Sequence, residues 1–347
     1  MAQENNPKRT EISALGEFGL IDHLTKNVQL RNRSSIKGIG DDAAIIEAGD
    51  GQVKVLTQDL LVEGVHFDLM YHPLQHLGYK SVVVNLSDIY AMNAWPEQIT
   101  VGLGVSNRFS VEALEQLYEG MLAACEKFGV DMIGGDTTSS QAGLIISISA
   151  LGYAKKEDIV YRDTAQVGDV IAVSGDLGGA YMGLQMLERE KQVYMENPEV
   201  QPNLEHETYI VGRQLLPQPR RDIIELLEEV KIKPTAMIDI SDGLSSDLLH
   251  ICHRSGVGCR IYEERLPIAE ETRERAMKFK IAPATCALNG GEDYELLFTL
   301  SAENADKLKG ALDLTMIGEC TKPKDGFKFI TQGGQVHELV AQGWQHT

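Results

Sequence analysis

Five short acidic segments carry the side chains of this sequence that are best suited to chemistry. The first is GIGDDAA at residues 38–44, which sets two adjacent aspartates on a glycine turn between a polar run and apolar residues. Glycine and aspartate are ordinary turn residues, so this segment alone predicts only a turn. Similar segments recur as NLSD at 85–88, GGDTT at 134–138, DISDG at 239–243 and GGEDYE at 290–295. Their recurrence favours one shared role.

Several aspartates stand where a solubilising charge is least expected, at the ends of apolar strands, in glycine turns or on an apolar helix. They are Asp41, Asp42, Asp59, Asp88, Asp136, Asp239 and Asp242. Mg²⁺ takes oxygen ligands, keeps several waters and is usually bound by one or two carboxylates together with substrate phosphates. Scattered single aspartates therefore favour a site for Mg²⁺ and a phosphate substrate. Calcium sensing and zinc hydrolysis are poorly supported, because the sequence has no EF-hand loop and no HExxH motif.

Length and composition indicate two domains of mixed α/β structure. The chain has 347 residues, which is too long for one ordinary hydrophobic core. Its 32 Lys and Arg against 51 Asp and Glu give a net charge of −19, which argues against nucleic-acid binding and an anionic membrane surface. A solvated, self-repelling surface would explain the same acidity without an acidic site. The five cysteines form no CxxC pair and no targeting or membrane-spanning segment is evident, so we expect a cytoplasmic location.

Hydrophobic periodicity predicts alternating helices and strands. In the first half we expect helices at 12–26, 73–94 and 110–128, and strands at 53–57, 98–105 and 144–154. In the second half we expect a strand that runs into a glycine turn and a helix at 169–180, strands at 235–239, 257–262 and 293–300, a helix at 243–254, and a polar surface excursion at 191–206. The charged stretch KKEDIVYRD marks the boundary between predicted domains 1–154 and 155–347.

The glycine-rich GDLGGA at 175–180 is a candidate phosphate loop, because it follows an apolar strand and precedes a helix. It lacks the lysine and hydroxyl of the GxxxxGK[ST] motif and does not fit GxGxxG. A packing turn is therefore the favoured interpretation.

Seven segments of the chain occur in the order and spacing of one family. They are GEFGLIDHL, GIGDDAA, EGVHF, YKSVVVNLSDIYAM, IGGDTT, DISDGLSSDL and LNGGEDYELLFT. In these segments the chain resembles the thiamine-monophosphate kinases of the aminoimidazole-ribonucleotide synthetase superfamily. The resemblance implies an N-terminal α/β domain that binds ATP and Mg²⁺ and dimerises, and a C-terminal α/β domain that completes the active site. It also implies transfer of the ATP γ-phosphoryl group to thiamine monophosphate, which gives thiamine diphosphate.

The resemblance also implies roles for individual residues. The implied magnesium ligands are Asp42, Thr57, Asp59, Asp88, Asp136, Asp239 and Asp242. The implied ATP contacts are Tyr118, Gly135, Asp136, Arg162 and Ser241. Around the thiamine moiety the resemblance places His66, Glu292 and Trp344, where a cationic thiazolium would suit a carboxylate and an aromatic face. On the residues alone, His66 is by default a packed histidine and Trp344 an anchor of the C-terminus.

The chain departs from the family pattern at three places. Thr57-Gln58-Asp59-Leu60 stands where the family usually reads S-T-D-T or S-T-D-M, so the second hydroxyl is missing. Asn93 in AMNAWP takes the place of a glycine that would allow a tight bend. YRDTAQVGD replaces L-T-R-S-G-A-x-P-G-D, although Arg162 keeps its register.

The five acidic segments contain no lysine, although ATP and a phosphate monoester are both anions. The aspartates therefore recruit cations as Mg²⁺, since phosphoryl transfer needs positioning and charge neutralisation more than covalent help. A general base is not required, because a phosphate monoester is mostly dianionic at pH 7 and already nucleophilic. No motif pairs a nucleophile with an orienting base, so we predict direct in-line transfer without a catalytic side chain.

Two other functions stay open on the residues. A ring-closing synthetase of the same superfamily would share the aspartates and the fold, but would activate a carbonyl or amide oxygen and release phosphate. Such an enzyme is expected to carry more basic residues near its motifs than Arg162 alone. A non-catalytic binder of divalent ions would explain the acidity, but not His66, Glu292 and Trp344 in family register.

Overall fold

The computed structural model describes residues 16–341. Within this range, two β-sheets with helices packed against them make up the fold, which confirms the predicted α/β class. None of the described helices is long and apolar enough to cross a membrane. The predicted thiamine contact Trp344 lies outside the described residues, so its role stays a prediction.

The first sheet is built from strands of the N-terminal half. They are β1 (Ser35–Lys37), β2 (Ala44–Gly49), β3 (Gln52–Val62), β4 (Trp95–Val105), β5 (Asp131–Ser139) and β6 (Ile145–Lys155). Their order in the sheet is β1-β2-β3-β6-β4-β5, and only β4 and β5 pair in parallel. Along β3, Val53 and Val55 are buried while Leu56 and Leu60 are exposed, because one face of the sheet meets the core.

Three described helices accompany this sheet, namely α1 (Gly16–Thr25), α2 (Leu74–Ala91) and α3 (Val111–Phe128). Helix α2 is buried along most of its length. It meets α3 backbone to backbone at two glycines. A Cβ atom at Gly78 would lie 1.9 Å from Leu117 O, and one at Gly120 would lie 1.8 Å from Gln75 O. Larger residues at either glycine would separate the helices, so this contact fixes α2 and with it Asp88.

The second sheet is built from strands of the C-terminal half. They are β7 (Val170–Ser174), β8 (Ala236–Asp239), β9 (Gly258–Tyr262), β10 (Leu296–Leu300), β11 (Leu314–Thr321), β12 (Phe327–Ile330) and β13 (Val336–Glu338). Their order is β13-β12-β9-β11-β7-β10-β8, and only β9 and β12 run parallel. The helices of this half are α4 (Gly179–Glu196), α5 (Thr208–Leu215), α6 (Arg221–Glu229), α7 (Leu244–Ser255), α8 (Glu270–Lys278), α9 (Pro283–Asn289) and α10 (Ala302–Lys307), with 3₁₀ turns at Glu263–Arg265 and Pro323–Asp325.

The larger hydrophobic core runs from the first sheet into the second half. It joins Val55 on β3 and Leu86 on α2 to Met237 on β8 and Phe298 on β10. A second core lies within the C-terminal half and contains Leu248. Because one core crosses the predicted domain boundary, burial of apolar surface holds the two halves together.

Most predicted elements are confirmed with shifted ends, but one prediction was wrong. GGDTT at 134–138 is not a turn, because it forms the middle of β5. The predicted surface excursion at 191–206 is exposed along most of its length, and its first residues continue α4 to Glu196. The strand predicted at 293–300 begins only at Leu296, since Glu292 and Tyr294 before it have φ values of 57° and 52°.

The bend after α2 uses the asparagine that replaces the family's glycine. Asn93 has a φ of 56°, in the left-handed region that glycine adopts most readily. Its Nδ2 donates to Asp158 O at 2.8 Å. The chain thus makes this bend without the glycine, since asparagine is one of the few other residues that tolerate this conformation.

Candidate active site

A cleft of about 760 Å³ opens between the two halves of the molecule. The first half contributes the loop before β2, together with β3 and α2. The second half contributes α4, the loop after β8 and the GGEDYE segment. Most of the predicted site residues line this cleft, and these are Asp42, Thr57, Asp59, His66, Asp88, Arg162, Asp239, Ser241, Asp242 and Glu292. Four of the five acidic segments therefore meet in one place.

Three carboxylates converge in this cleft at a spacing suited to one cation. They belong to Asp42 before β2, Asp88 in the last turn of α2 and Asp239 at the end of β8. Each offers one oxygen, and the three oxygens lie within 4.8 Å of one another. These three residues form an aspartate trio.

Hydroxyl groups hold two members of the aspartate trio in place. Thr57 Oγ1 donates to Asp88 Oδ2 at 2.5 Å. Ser87 Oγ donates to Asp239 Oδ2 at 2.6 Å, which links α2 of the first half to β8 of the second. In the described structure Thr57, a predicted metal ligand, is therefore hydrogen-bonded to a member of the aspartate trio.

Strand β3 presents its side chains to two sides of the sheet. Thr57 and Asp59 line the cleft, and the backbone N–H of Asp59 donates to Asn85 Oδ1 on α2 at 3.1 Å. Gln58 between them donates from Nε2 to Ser147 Oγ on β6 at 3.0 Å. The amide that replaces the family's second hydroxyl is therefore engaged with the neighbouring strand.

If all three were ionised, the carboxylates of the aspartate trio would carry more negative charge than the neighbouring Arg162 balances. Burial raises the pKa of Asp42, Asp88 and Asp239, and repulsion from neighbouring carboxylates raises each pKa further. Asp42 Oδ2 is buried and has no hydrogen-bond partner among the described residues. An all-oxygen donor set with excess negative charge fits a hard divalent cation such as Mg²⁺ and does not fit the nitrogen and sulfur preference of zinc.

Arg162, a predicted ATP contact, places a positive charge beside the aspartate trio. Its guanidinium pairs with Asp42, and its Nε lies 3.5 Å from Asp41 Oδ1. Its backbone N–H also donates to Asp41 Oδ1 at 3.2 Å. Lys37 Nζ lies 3.5 Å from Asp41 Oδ2. Asp41 is thus met by two basic side chains.

The loop after β8 brings Ser241 and Asp242 to the cleft. Asp247, which was not predicted, shapes this loop from α7. Its Oδ2 accepts the backbone N–H groups of Asp242 and Gly243 at 3.3 Å and 3.2 Å. Asp247 is buried and also lines the cleft. A signal for it was available, because Asp247 stands inside the segment DISDGLSSDL.

The GGEDYE segment alternates its side chains between the cleft and the interior. Glu292 and Tyr294 line the cleft, and both have the left-handed φ values given above. Non-glycine residues in this conformation each cost about 1–3 kcal/mol and persist only where the surroundings hold them. Glu295 helps to fix this segment, since its buried carboxylate pairs with Arg213 at 2.8 Å and Arg220 at 2.7 Å.

The same segment explains the glycine turn GDLGGA. Asp293 is buried and its carboxylate accepts the backbone N–H groups of Gly178 at 2.7 Å and Ala180 at 3.3 Å. These groups belong to the start of α4, where a phosphate would otherwise be attracted. The position is already taken by a carboxylate of the chain itself, which confirms the favoured interpretation of GDLGGA as a packing turn.

His66 and Glu292, the predicted thiamine contacts, line the same cleft as the aspartate trio. His66 Nδ1 accepts the backbone N–H of Val62 at 3.0 Å, which assigns the proton of the neutral ring to Nε2. Glu292 accepts hydrogen bonds from the Lys80 ammonium and the Gln214 amide. Its carboxylate is therefore already paired with a cation of the chain.

Polar contacts between the two halves line another part of the cleft and were not predicted. The Tyr71 hydroxyl donates to Glu188 Oε1 at 2.7 Å, and Lys191 Nζ lies 2.7 Å from Asp68 Oδ2. Asp68 and Tyr71 lie between β3 and α2, whereas Glu188 and Lys191 lie on α4. The sequence gives no sign of them, because the residues of α4 carry no acidic motif.

Two predicted residues lie on strand β5, away from the cleft of their own chain. Asp136 shares a cross-strand row with Gly102, Ser147 and Leu60, and Leu60 lies on the face of the sheet that turns away from the core. Because alternate residues of a strand point to opposite faces, Asp136 and Asp59 are on different sides of the sheet. Gly135 is exposed beside Asp136.

Tyr118, a third predicted ATP contact, lies on α3 and packs partly buried against the larger core. Among the residues described, Tyr118, Gly135 and Asp136 do not line the cleft. Their predicted roles stay predictions.

Comparisons with known proteins place this architecture in a class. The family model "AIR synthase related protein, N-terminal domain" matches residues 40–154, and "AIR synthase related protein, C-terminal domain" matches residues 166–329. The chain thus has the two domains of the AIR synthase related proteins.

Within this class the chain resembles one kind of enzyme over its whole length. The thiamine-monophosphate kinase of Aquifex aeolicus is 35% identical over 335 residues, which cover 96% of this chain and 99% of the relative. That of Bacillus subtilis is 35% identical over 339 residues, with coverages of 96% and 99%. The solved structure "AaThiL complexed with AMPPCP and TMP" matches with a TM-score of 0.81 at 33% identity, covering 98% of this chain and 100% of that one. The chain belongs to the thiamine-monophosphate kinase family.

Proposed function

We propose that this protein transfers the γ-phosphoryl group of ATP to thiamine monophosphate, which yields ADP and thiamine diphosphate. The observation that carries the proposal is the aspartate trio, whose oxygens converge within 4.8 Å in a cleft of about 760 Å³. This volume suits small-molecule substrates. The relatives that match nearly the whole chain are named for this activity, and the matching solved structure is described with AMPPCP and TMP.

We infer that Mg²⁺ is the cation of this site and that Asp42, Asp88 and Asp239 hold it. When bound, Mg²⁺ would neutralise phosphate charge and bring the reacting oxygens together. The remaining work falls to the chain itself. Thr57 orients Asp88 through its hydrogen bond, and Arg162 keeps a fixed positive charge beside Asp42. An anionic substrate that attracts Arg162 competes with this ion pair.

The transfer is proposed to be one in-line displacement without a phosphorylated enzyme. The acceptor is a phosphate monoester whose second pKa is about 6, so its dianion needs no general base at neutral pH. The cysteines are all buried, and none lines the described cleft. With ATP that is chiral at a γ-thiophosphate, we expect inversion at phosphorus. Net retention would reveal a covalent intermediate and contradict direct transfer.

The chain is proposed to act as a homodimer that forms through the first sheet. Strand β5 is an edge strand and is exposed along most of its length. On the first sheet, Leu60 and Ile133 are 52% and 62% exposed. Unpaired strand edges and exposed apolar residues are features that an interface covers. Since Asp136 does not line the cleft of its own chain, its predicted role requires a partner's cleft or a movement of β5.

The activity is tested by incubating the purified protein with ATP, MgCl₂ and one of three acceptor conditions. These are thiamine monophosphate, thiamine, and no acceptor. We expect ADP to form only with thiamine monophosphate and without free phosphate. Release of phosphate would indicate synthetase chemistry, and cation binding without turnover would indicate a non-catalytic binder. Either result would contradict the proposal. The cytoplasmic location stays a prediction.

A further inference from the structure

Lys80 is a buried cation that the proposed chemistry does not use. It lies on α2 between Tyr79 and Ser81, and only 1% of its side chain is exposed. Lysine is almost never fully buried unless it is paired, because removing an ammonium group from water is costly. Because Lys80 does not reach solvent, it can act only through the residues that it contacts.

Lys80 pairs with Glu292, the residue predicted to contact the thiamine moiety, and with its neighbour Gln214. Lys80 Nζ lies 2.9 Å from Glu292 Oε1 and 3.1 Å from Gln214 O. Gln214 also bonds to Glu292 directly, since its Nε2 donates to the other carboxylate oxygen, Oε2. Both carboxylate oxygens are thus held, one from α2 and one from α5. With one bond to each oxygen, the carboxylate is held in one orientation.

Exposure differs sharply across this ion pair. The Glu292 side chain is 29% exposed in the cleft, whereas Lys80 is hidden behind it. A substrate in the cleft therefore meets the carboxylate and not the ammonium. The backbone adds to the constraint, because Glu292 has a φ of 57° and its N–H donates to Ser241 O at 2.7 Å. The side chain and the backbone of Glu292 are held by different elements.

We propose that Lys80 is a positioning residue for the acceptor, which sets the orientation of the Glu292 carboxylate and neutralises its charge. This inference rests on the proposed function. Because the charge of Glu292 is already matched, the carboxylate serves as an oriented hydrogen-bond acceptor for a nitrogen heterocycle rather than as a bare counter-ion. Loss of Lys80 would free the carboxylate to turn within the cleft and would weaken binding of the organic acceptor, while ATP binding at the aspartate trio would be unaffected.

Lys80→Met is the variant that tests this role, because methionine fills a similar buried volume without charge. Lys127→Met is the matched control. Lys127 on α3 also reaches the second half, where it donates to Gln218, but it does not line the cleft. Kinetics with varied thiamine monophosphate and varied ATP are measured for the wild type, both single variants, Glu292→Gln and the double variant Lys80→Met with Glu292→Gln.

The expected result is a KM for thiamine monophosphate raised about tenfold in Lys80→Met, since hydrogen bonds to charged groups are worth roughly that factor. The KM for ATP should stay within about twofold, and Lys127→Met should change neither constant. In the Glu292→Gln background, Lys80→Met should add little, because its effect passes through the carboxylate. Circular dichroism and thermal melting identify any variant that has not folded.

Three outcomes would overturn the proposal. The first is that folded Lys80→Met has the KM values of the wild type. The second is that its KM values for thiamine monophosphate and ATP rise equally. The third is that the KM rise of the double variant equals the product of the rises in Lys80→Met and Glu292→Gln. Lys80→Arg offers a second measurement if Lys80→Met does not fold. Because arginine keeps the positive charge, the KM of Lys80→Arg for thiamine monophosphate should rise by less than tenfold. Absence of turnover by the wild type would instead refute the proposed function, and this inference with it.

Discussion

Asp88→Asn should make the cation-free protein more stable and at the same time remove its response to Mg²⁺. Asp88 is a half-buried carboxyl group that faces two others, and desolvation and repulsion both raise its pKa. In the absence of a cation this arrangement works against folding. An amide of the same shape removes the charge but can still accept the hydrogen bond from Thr57 Oγ1.

The magnitude follows from the geometry of the aspartate trio. At the largest separation in the trio, 4.8 Å, two unit charges repel by about 3.5 kcal/mol at an effective dielectric constant of about 20. Two such pairs would exceed the cost of simply binding a proton. For a carboxyl with an ordinary pKa of about 3.9, full protonation at pH 7 costs about 4 kcal/mol. The cost of protonation is therefore the upper limit of the destabilisation that the charge of Asp88 can cause. We expect Asp88→Asn to raise the free energy of unfolding by about 1–3 kcal/mol.

The assay is urea unfolding of the wild type, Asp88→Asn and a control, Asp50→Asn, in EDTA and in MgCl₂. Asp50 is exposed in the turn between β2 and β3 and has a φ of 51°, which asparagine tolerates. In EDTA only Asp88→Asn should gain stability. In Mg²⁺ at 100 times its dissociation constant, the wild type and control should gain about 2.7 kcal/mol and Asp88→Asn much less. The reasoning is refuted if folded Asp88→Asn is less stable than the wild type in EDTA, or responds equally to Mg²⁺.

Three further predictions follow from the site and its supports. Mixing inactive Asp136→Asn and Asp88→Asn chains should restore about a quarter of the wild-type activity if Asp136 acts in the cleft of a partner, since half of the dimers are mixed and each has one intact site; no recovery after chain exchange would exclude that arrangement. Mg²⁺ affinity, measured by calorimetry, should fall as the pH is lowered from 8 to about 5.5, because burial raises the pKa of the trio carboxyls and protons then compete with the cation; a pH-independent affinity would count against the trio as the ligand set. Asn93→Gly should change the free energy of unfolding by less than about 0.5 kcal/mol, whereas Asn93→Val should lose more than about 1 kcal/mol, because a β-branched residue is strained at a φ of 56°; equal losses would show that the backbone conformation is not the constraint.

The sequence predicts the parts of the site that local chemistry encodes. The aspartate turns, the apolar face of α2 and the bend at Asn93 depend on residue types within a few positions of one another. Family spacing then indicates which aspartates serve one site. Their convergence is a tertiary property, because Asp42 and Asp239 meet only after the two halves have packed around a common core.

Strand β5 shows where local patterns fail. Its GGDTT core has the composition of a turn, yet it becomes a strand because it pairs in parallel with β4. The register of that pairing also decides which face carries Asp136, since a shift by one residue would move its side chain to the opposite side. No local pattern states the register, so the separation of Asp136 from the aspartate trio could not be predicted.

Lys80 shows a second limit, that of long-range pairing. In the segment YKSVVV a lysine is expected to keep its charge in water. Its burial is explained by Gln214 and Glu292, which stand 134 and 212 positions later in the chain. A charge whose partner is this distant looks like an ordinary surface residue until the fold brings the two together.

The central claim is that this cleft transfers a phosphoryl group between two phosphates, and ³¹P NMR tests it most directly. The purified protein is incubated with ATP, MgCl₂ and thiamine monophosphate while the phosphorus spectrum is followed. We predict that the thiamine monophosphate signal is replaced by the α- and β-phosphoryl resonances of thiamine diphosphate as ATP becomes ADP, and that EDTA or Asp88→Asn stops this change. An unchanged thiamine monophosphate signal in folded protein, or inorganic phosphate as the product of ATP, would contradict the account.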